Sequence, residues 1–163
     1  MPSLLRIIQL DDSDQRVYDP PAQPGEWAVP GSFSFWDADP ESMDGPELQA
    51  FAHGFLGTLS FGRGTLVQIA EISAEELEEV TRRLAAYLVE YHGAPDLEAA
   101  LPAAREEIAF AESLCDHPRD TLLGVERTVE GLNMVESFKT IEAPSEIDHS
   151  QVRVWKAVEE NAP

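Results

Sequence analysis

The stretch from Leu48 to Gly62 carries no charged side chain, although the chain has a formal net charge of -20 at pH 7. Its apolar residues recur at the spacing of one helical stripe, which predicts an amphipathic helix. These residues are Leu48, Phe51, Ala52, Phe55, Leu56 and Leu59. The opposite face would carry Gly54 and Gly57, which cost a helix about 0.5–1 kcal/mol each relative to alanine. We therefore expect this helix either to be packed on both sides inside its own domain or to dock a partner subunit through its small face.

The balance of 31 acidic against 11 basic residues argues against binding to nucleic acid or to an anionic membrane, because the field of the chain repels phosphate. The one cysteine excludes an internal disulfide and a multi-cysteine zinc site. The N-terminal residues show no basic segment followed by a cleavage pattern, so we read no signal peptide and expect a cytoplasmic protein. The predicted 48–59 helix is too short and too rich in glycine to span a bilayer.

The order of predicted elements favours an α+β fold. Alternating or continuous apolar runs predict strands at 4–10, 32–36, 65–72, 121–129 and 132–141, the last two as a hairpin. Besides the 48–59 helix, we predict a helix over 73–92, which Ser73 and Glu76 begin as a capping box, and a third that begins at Pro102. We expect one mainly antiparallel sheet of four or five strands, with about three helices chiefly on one face.

Residues 1–141 are expected to form this single domain, which includes an extended arm rich in proline and aromatic residues at 18–37. Proline removes a backbone donor, so the arm should contain at best an edge strand. Residues 142–163 are expected to be an acidic, partly ordered tail, in which Val152, Val154 and Trp155 can dock back onto the domain.

Few residues suggest chemistry. Cys115 and His117 lie close together at a predicted helix end, as in a thiolate nucleophile, but Cys115 falls on the apolar stripe and a helix C-terminus disfavours a thiolate. The four histidines lack metal-ligand spacing. Arg63 is the first charge after the neutral stretch, and either pairs with a carboxylate of the domain or binds the acid group of a ligand. We name Arg63, His53 and His117 as candidate ligand-binding residues, and no catalytic or metal-binding residue.

The aromatic residues of the arm have two interpretations. Trp27, Phe35 and Trp36 can cover the core of their own domain, in which case Trp27→Ala lowers the melting temperature by several degrees. Alternatively, they form an interface with another protein or a second copy of the chain, together with the small face that contains Gly54 and Gly57.

No nucleophile–base pair, metal spacing or phosphate loop stands out, and we expect no cofactor. The sequence therefore favours a non-catalytic accessory or interaction protein, a subunit or maturation factor of a larger enzyme system. The alternative is a small enzyme or ligand-binding protein, with a pocket near Arg63, His53 and Cys115/His117.

Two stretches carry a family resemblance. The first joins PGEWAVPGSF, at 24–33, to GFLG and SFGR, at 54–57 and 60–63. The second joins AREEIAFA, at 104–111, to CDHP, at 115–118. Together they resemble an uncharacterised family of small acidic alphaproteobacterial proteins, which is associated with operons for molybdenum-dependent formate dehydrogenase. The resemblance implies an accessory role, and it supplies no catalytic residues.

Overall fold

The computed structural model describes residues 2–36, 39–142 and 156–159, and it shows an α+β fold built on one antiparallel sheet. Seven strands follow one another from the N-terminus to the hairpin, and a short eighth strand pairs with the last of them. The strands are β1 Ser3–Ile8, β2 Trp27–Val29, β3 Phe55–Gly57, β4 Arg63–Gly64, β5 Leu66–Glu71, β6 Leu122–Glu130, β7 Asn133–Glu142 and β8 Lys156–Glu159. The α+β prediction is confirmed, but four or five strands was too few.

The described residues contain four α-helices and two short 3-10 helices, where we expected about three helices. The α-helices are α1 Ser13–Val17, α2 Gly45–His53, α3 Ala74–Tyr91 and α4 Leu97–Ser113, and the 3-10 helices are Ser32–Phe35 and Pro40–Ser42. None of these helices is both long and apolar enough to cross a bilayer.

The strand order is β4-β3-β2-β1-β5-β6-β7-β8, and the edge strand β4 is joined to the central strand β5 through Thr65 alone. Four strand spacings separate β4 from β5, which amounts to about 19 Å in a flat sheet. A link of one residue lets Gly64 and Leu66 lie at most about 7 Å apart. The sheet must therefore curl strongly, so that β4 returns to β5. The backbone of the arm covers the outer edge of β4, where Arg63 exchanges hydrogen bonds with Pro20 and Ala22.

Helices α3 and α4 pack on each other and on the sheet. Ser73 caps α3, since its Oγ accepts from the Glu76 N–H at 3.1 Å, as predicted. The buried residues of α3 include Val80, Leu84 and Leu88, and those of α4 are Ile108 and three alanines, Ala100, Ala104 and Ala111. This α4 begins at Leu97 under the cap of Asp96, and Pro102 lies inside it, so the predicted start at Pro102 was wrong by more than one turn.

Three local predictions were wrong. The helix predicted over 48–59 ends at His53, and Phe55 and Leu56 of its apolar stripe lie in β3. Residues 32–36 form a 3-10 helix that ends at Phe35, where we expected a strand. The arm contributes β2, which lies between β1 and β3, where we expected at best an edge strand. The predicted docking of Val152, Val154 and Trp155 lies outside the described residues.

Candidate functional site

Arg127 on β6 is a fully buried charge whose guanidinium points into the domain. Its Nη2 donates to the carbonyl oxygen of Pro30 at 2.7 Å, and its Nη1 donates to those of Gly54 and Phe51 at 2.9 and 3.0 Å. Its Nε donates to Glu136 Oε2 at 2.7 Å, directly across the β6–β7 hairpin. The Arg127 side chain therefore joins the arm, the end of α2 and the hairpin.

Arg63 on β4 is the second buried arginine, and it approaches the same carbonyls from the other side. Its Nη1 donates to Gly54 and Pro30 at 3.2 and 3.3 Å, and its Nη2 donates to Gly31 at 3.2 Å. Burial, together with the nearby Arg127 guanidinium, lowers the pKa of Arg63 to about 9. Arg63 is therefore still charged at neutral pH.

The ring of Phe35 lies against both guanidinium groups, 4.6 Å from the Cζ of Arg63 and 5.3 Å from the Cζ of Arg127. An aromatic face attracts a cation, which offsets part of the cost of burying two like charges. We call Arg63, Arg127, Phe35 and the carbonyls that receive the arginines the arginine core. The carbonyls belong to Pro30, Gly31, Ala50, Phe51 and Gly54.

Backbone carbonyl oxygens supply the partial negative charges that face the two guanidinium groups. Three of the five carbonyls, those of Ala50, Phe51 and Gly54, lie at the C-terminal end of α2, where cations are favoured, and the carbonyl of Ala50 also accepts from the Gly54 N–H. A fourth belongs to Gly31, whose φ of 69° is left-handed and starts the 3-10 helix. A Cβ at Gly31 would lie 2.9 Å from Arg63 Nη1, so glycine is required there by both conformation and space.

Glu107 on α4 links the arginine core to the surface. Its Oε2 accepts from the Gly31 N–H at 2.7 Å. Burial raises the pKa of Glu107, and the raised value shows that desolvation outweighs both that hydrogen bond and the attraction of the two arginines. Glu136, on the other side, pairs directly with Arg127 and also accepts from Ser32 Oγ.

An open groove of about 540 Å³ lies beside the arginine core, between the first 3-10 helix, α3 and α4. We refer to it as the groove. Its lining combines aromatic, apolar and acidic side chains, namely Phe33, Trp36, Leu88, His92, Ala103, Glu106 and Glu107. Trp36 is 77% exposed, although it directly follows the buried Phe35. The rings of Phe33 and His92 meet edge to face at 5.1 Å, and burial, with a smaller contribution from Arg63, lowers the pKa of His92.

The predicted ligand-binding residues have different surroundings. Arg63 is buried and donates to backbone carbonyls. His53 is half-buried at the end of α2, with its Nδ1 3.2 Å from the carbonyl oxygen of Val125. His117 is half-buried in the loop between α4 and β6, two residues after Cys115, whose Sγ lies 3.4 Å from the carbonyl oxygen of Ala111. A ligand role for these residues stays a prediction.

The predicted interface residues divide by exposure. Trp27 is buried and donates its Nε1–H to Glu76 at 3.0 Å, and Phe35 is buried in the arginine core. Gly54 and Gly57 are also buried, and a Cβ on Gly57 would overlap the Glu26 carboxylate. Their positions favour packing inside the domain, whereas Trp36 is exposed and available to a partner.

Sequence reasoning missed Arg127, Glu107 and Glu136. A signal for Arg127 was present, since it follows Leu123 and Val125 at alternate positions of one strand and thus occupies the buried phase. The glutamates give no such signal, because Glu106-Glu107 resembles any solvated helix face. Among the described residues, no group of three or more histidine, cysteine or acidic side chains could hold a metal ion.

Comparison with known proteins gives a family and no activity. No curated protein and no solved structure matches the chain. A family model described as "Family of unknown function (DUF6505)" matches residues 1–160. That match spans the arm, the arginine core and the groove, and the chain therefore belongs to this family of unknown function.

Proposed function

We propose that the protein is a non-catalytic accessory protein that binds another protein through the groove, with Trp36 as its main contact. The observation that carries this proposal is the 77% exposure of a tryptophan on a segment that is otherwise fixed from within. Tryptophan is enriched among the residues that dominate binding free energy, at about 2 kcal/mol or more on truncation to alanine.

The arginine core holds the backbone that leads to Trp36. Phe35, the preceding residue, packs against both guanidinium groups, and the Gly31 N–H and C=O are held by Glu107 and Arg63. A side chain whose backbone is already ordered loses less conformational entropy when it binds. In this proposal, the buried arginines act as positioning residues for the exposed tryptophan.

The formal net charge of -20 narrows the class of partner. A chain with this field attracts basic surfaces and repels phosphate-rich ones. We therefore propose a basic protein segment as the partner, and neither nucleic acid nor a membrane. A second copy of the same acidic chain is disfavoured by the same repulsion.

The test compares two exposed apolar side chains. Trp36→Ala and Leu59→Ala both truncate such residues, which are 77% and 64% exposed, and Leu59 does not line the groove. Tagged wild type and both variants are used to capture partners from native lysate, with mass spectrometry and thermal melts alongside. We expect one protein to be captured by wild type and by Leu59→Ala and lost with Trp36→Ala, at unchanged melting temperature. Equal capture by all three would refute the proposal.

The family resemblance supports a narrower proposal. We propose that the partner belongs to a molybdenum-dependent formate dehydrogenase or its maturation machinery, and that the contact forms in the cytoplasm. Only the residues quoted for the resemblance support this identity. If the captured protein has another activity, the narrower proposal is wrong and the accessory role is unaffected.

A further inference from the structure

The groove combines two groups that recognise a planar cation. Phe33 and Trp36 offer aromatic faces on one side, and Glu106 and Glu107 offer carboxylates from α4 on the other. Aromatic faces attract guanidinium groups, and carboxylates bind them through paired, charge-assisted hydrogen bonds. Its volume of about 540 Å³ lies within the usual range for sites that enclose a ligand group.

The charges around the groove leave it acidic. Behind it, the donors of the two buried arginines point to backbone carbonyls, to Ser32 Oγ and to Glu136. The lowered pKa of His92 favours its neutral form at neutral pH. Glu106, which is exposed on the rim, adds a negative charge to a chain that is already strongly acidic.

We propose that the groove receives one arginine side chain of the partner protein, stacked on Trp36 and paired with the Glu106–Glu107 edge of α4. This inference rests on the proposed accessory function and names the group that the groove recognises. Arginine fits better than lysine, because its flat guanidinium can stack on a ring and bind a carboxylate through two donors at once. The apolar wall formed by Leu88 and Ala103 would accept the methylene stem.

Two peptides that differ in one charge test the proposal. Acetyl-Leu-Arg-Leu-amide and acetyl-Leu-citrulline-Leu-amide have nearly the same shape, but only the first is cationic. Each is titrated into the full chain, with calorimetry for affinity and NMR shifts of the Trp36 indole N–H for location. We expect the arginine peptide to bind at least about tenfold more tightly and to shift the Trp36 signal.

Two glutamates of the same helix provide a matched pair of variants. Glu106 lines the groove and Glu98 lies in the first turn of α4, and both are exposed, so neither substitution endangers the fold. Glu106→Gln should weaken the arginine peptide several-fold and leave the citrulline peptide unchanged, whereas Glu98→Gln should change neither.

Two results would overturn the inference. They are equal affinity for the arginine and citrulline peptides, and a Trp36 signal that the arginine peptide does not shift. These results leave the outcome of the capture experiment unchanged, because that experiment uses the natural partner and not the peptides. Loss of the inference and loss of the accessory function are therefore distinguishable.

Discussion

The arginine core and the groove lie side by side, linked by Glu107, yet their polar groups have opposite surroundings. In the core, two guanidinium groups are buried and their donors meet five backbone carbonyls, one carboxylate and the Ser32 hydroxyl. In the groove, a tryptophan and a glutamate are left in contact with water. A polar group that is satisfied internally contributes to the fold, whereas an ordered group left open is free to bind.

This difference also separates two arginine roles that the sequence could not tell apart. An exposed arginine of an acidic protein is available to a ligand, but the guanidinium groups of Arg63 and Arg127 already donate to backbone carbonyls of the same domain. In this interpretation, the two buried arginines stabilise the fold, and the neighbouring acidic and aromatic side chains of the groove bind the partner.

Arg127→Ala should have the largest effect. It leaves Glu136 without its buried charged partner and the carbonyl of Phe51 without the Arg127 donor, and breaking a buried ion pair in this way costs about 3–5 kcal/mol. Urea unfolding at neutral pH measures the loss. Arg63→Ala should cost less, because its described acceptors are carbonyls, two of which Arg127 also satisfies. A loss below about 1 kcal/mol for Arg127→Ala would contradict a structural role.

Phe35→Ala and Trp36→Ala should differ sharply although the residues are adjacent. Phe35 is buried against both guanidinium groups, so its truncation should cost about 3 kcal/mol. Trp36 is mostly exposed, so its truncation should change the free energy of unfolding by no more than about 0.5 kcal/mol. The two thermal melts are compared directly. Similar losses would mean that Trp36 also closes the core.

Gly31→Ala should cost about 2 kcal/mol. The residue has a φ of 69°, and the added Cβ would lie 2.6 Å from the Cβ of Leu56, so strain and crowding combine. Gly25→Ala is the control, because it also has a positive φ, of 92°, but a Cβ there meets nothing within 4 Å. The difference between their urea midpoints isolates the crowding. Equal losses would show that the arginine core can move aside.

Glu107 should give the smallest effect, visible as a dependence on pH. Its folded pKa is raised, so the folded state binds a proton at a higher pH than the unfolded state. The contribution of Glu107 to the free energy of unfolding should therefore be largest below the unfolded pKa of 4.5. It should be lost as the pH rises through the higher folded pKa. The experiment subtracts the urea stability of Glu107→Gln from that of wild type between pH 4 and 8. A flat difference, or one of opposite sign, would contradict the prediction.

The sequence predicted the elements whose stabilising contacts are local. The capping of α3 by Ser73, the central strand β5 and the β6–β7 hairpin each depend on neighbours a few residues away or on an unbroken apolar run. For the same reason, the overall α+β class followed from the order of elements. The number of strands did not, because β2, β3 and β4 have only two or three residues each and show no alternation.

The error in the 48–59 helix has a long-range cause. Its apolar stripe continues past His53, so periodicity alone gives no reason to stop. The helix ends there because Arg63 and Arg127, which are distant in sequence, bind the last carbonyls of α2, including that of Gly54. A Cβ placed on Gly54 would lie 3.1 Å from the Cβ of Arg63, so a larger residue at this position would crowd Arg63. The groove was missed for a related reason, since Trp36 and Glu107 are distant in sequence and line the same groove only after folding.

The hydrogen bond from Arg127 to Pro30 spans 97 residues, and this fixes when the domain can be completed during synthesis. Until β6 leaves the ribosome, the carbonyls of Pro30 and Gly54 can be held by Arg63 but lack the second donor, Arg127, that joins them to the hairpin. Contacts of such large sequence separation are slow to form, because a long loop must close first. A nascent chain that stops before residue 127 should therefore remain sensitive to protease around the arm, and resistance should appear only once the hairpin is made.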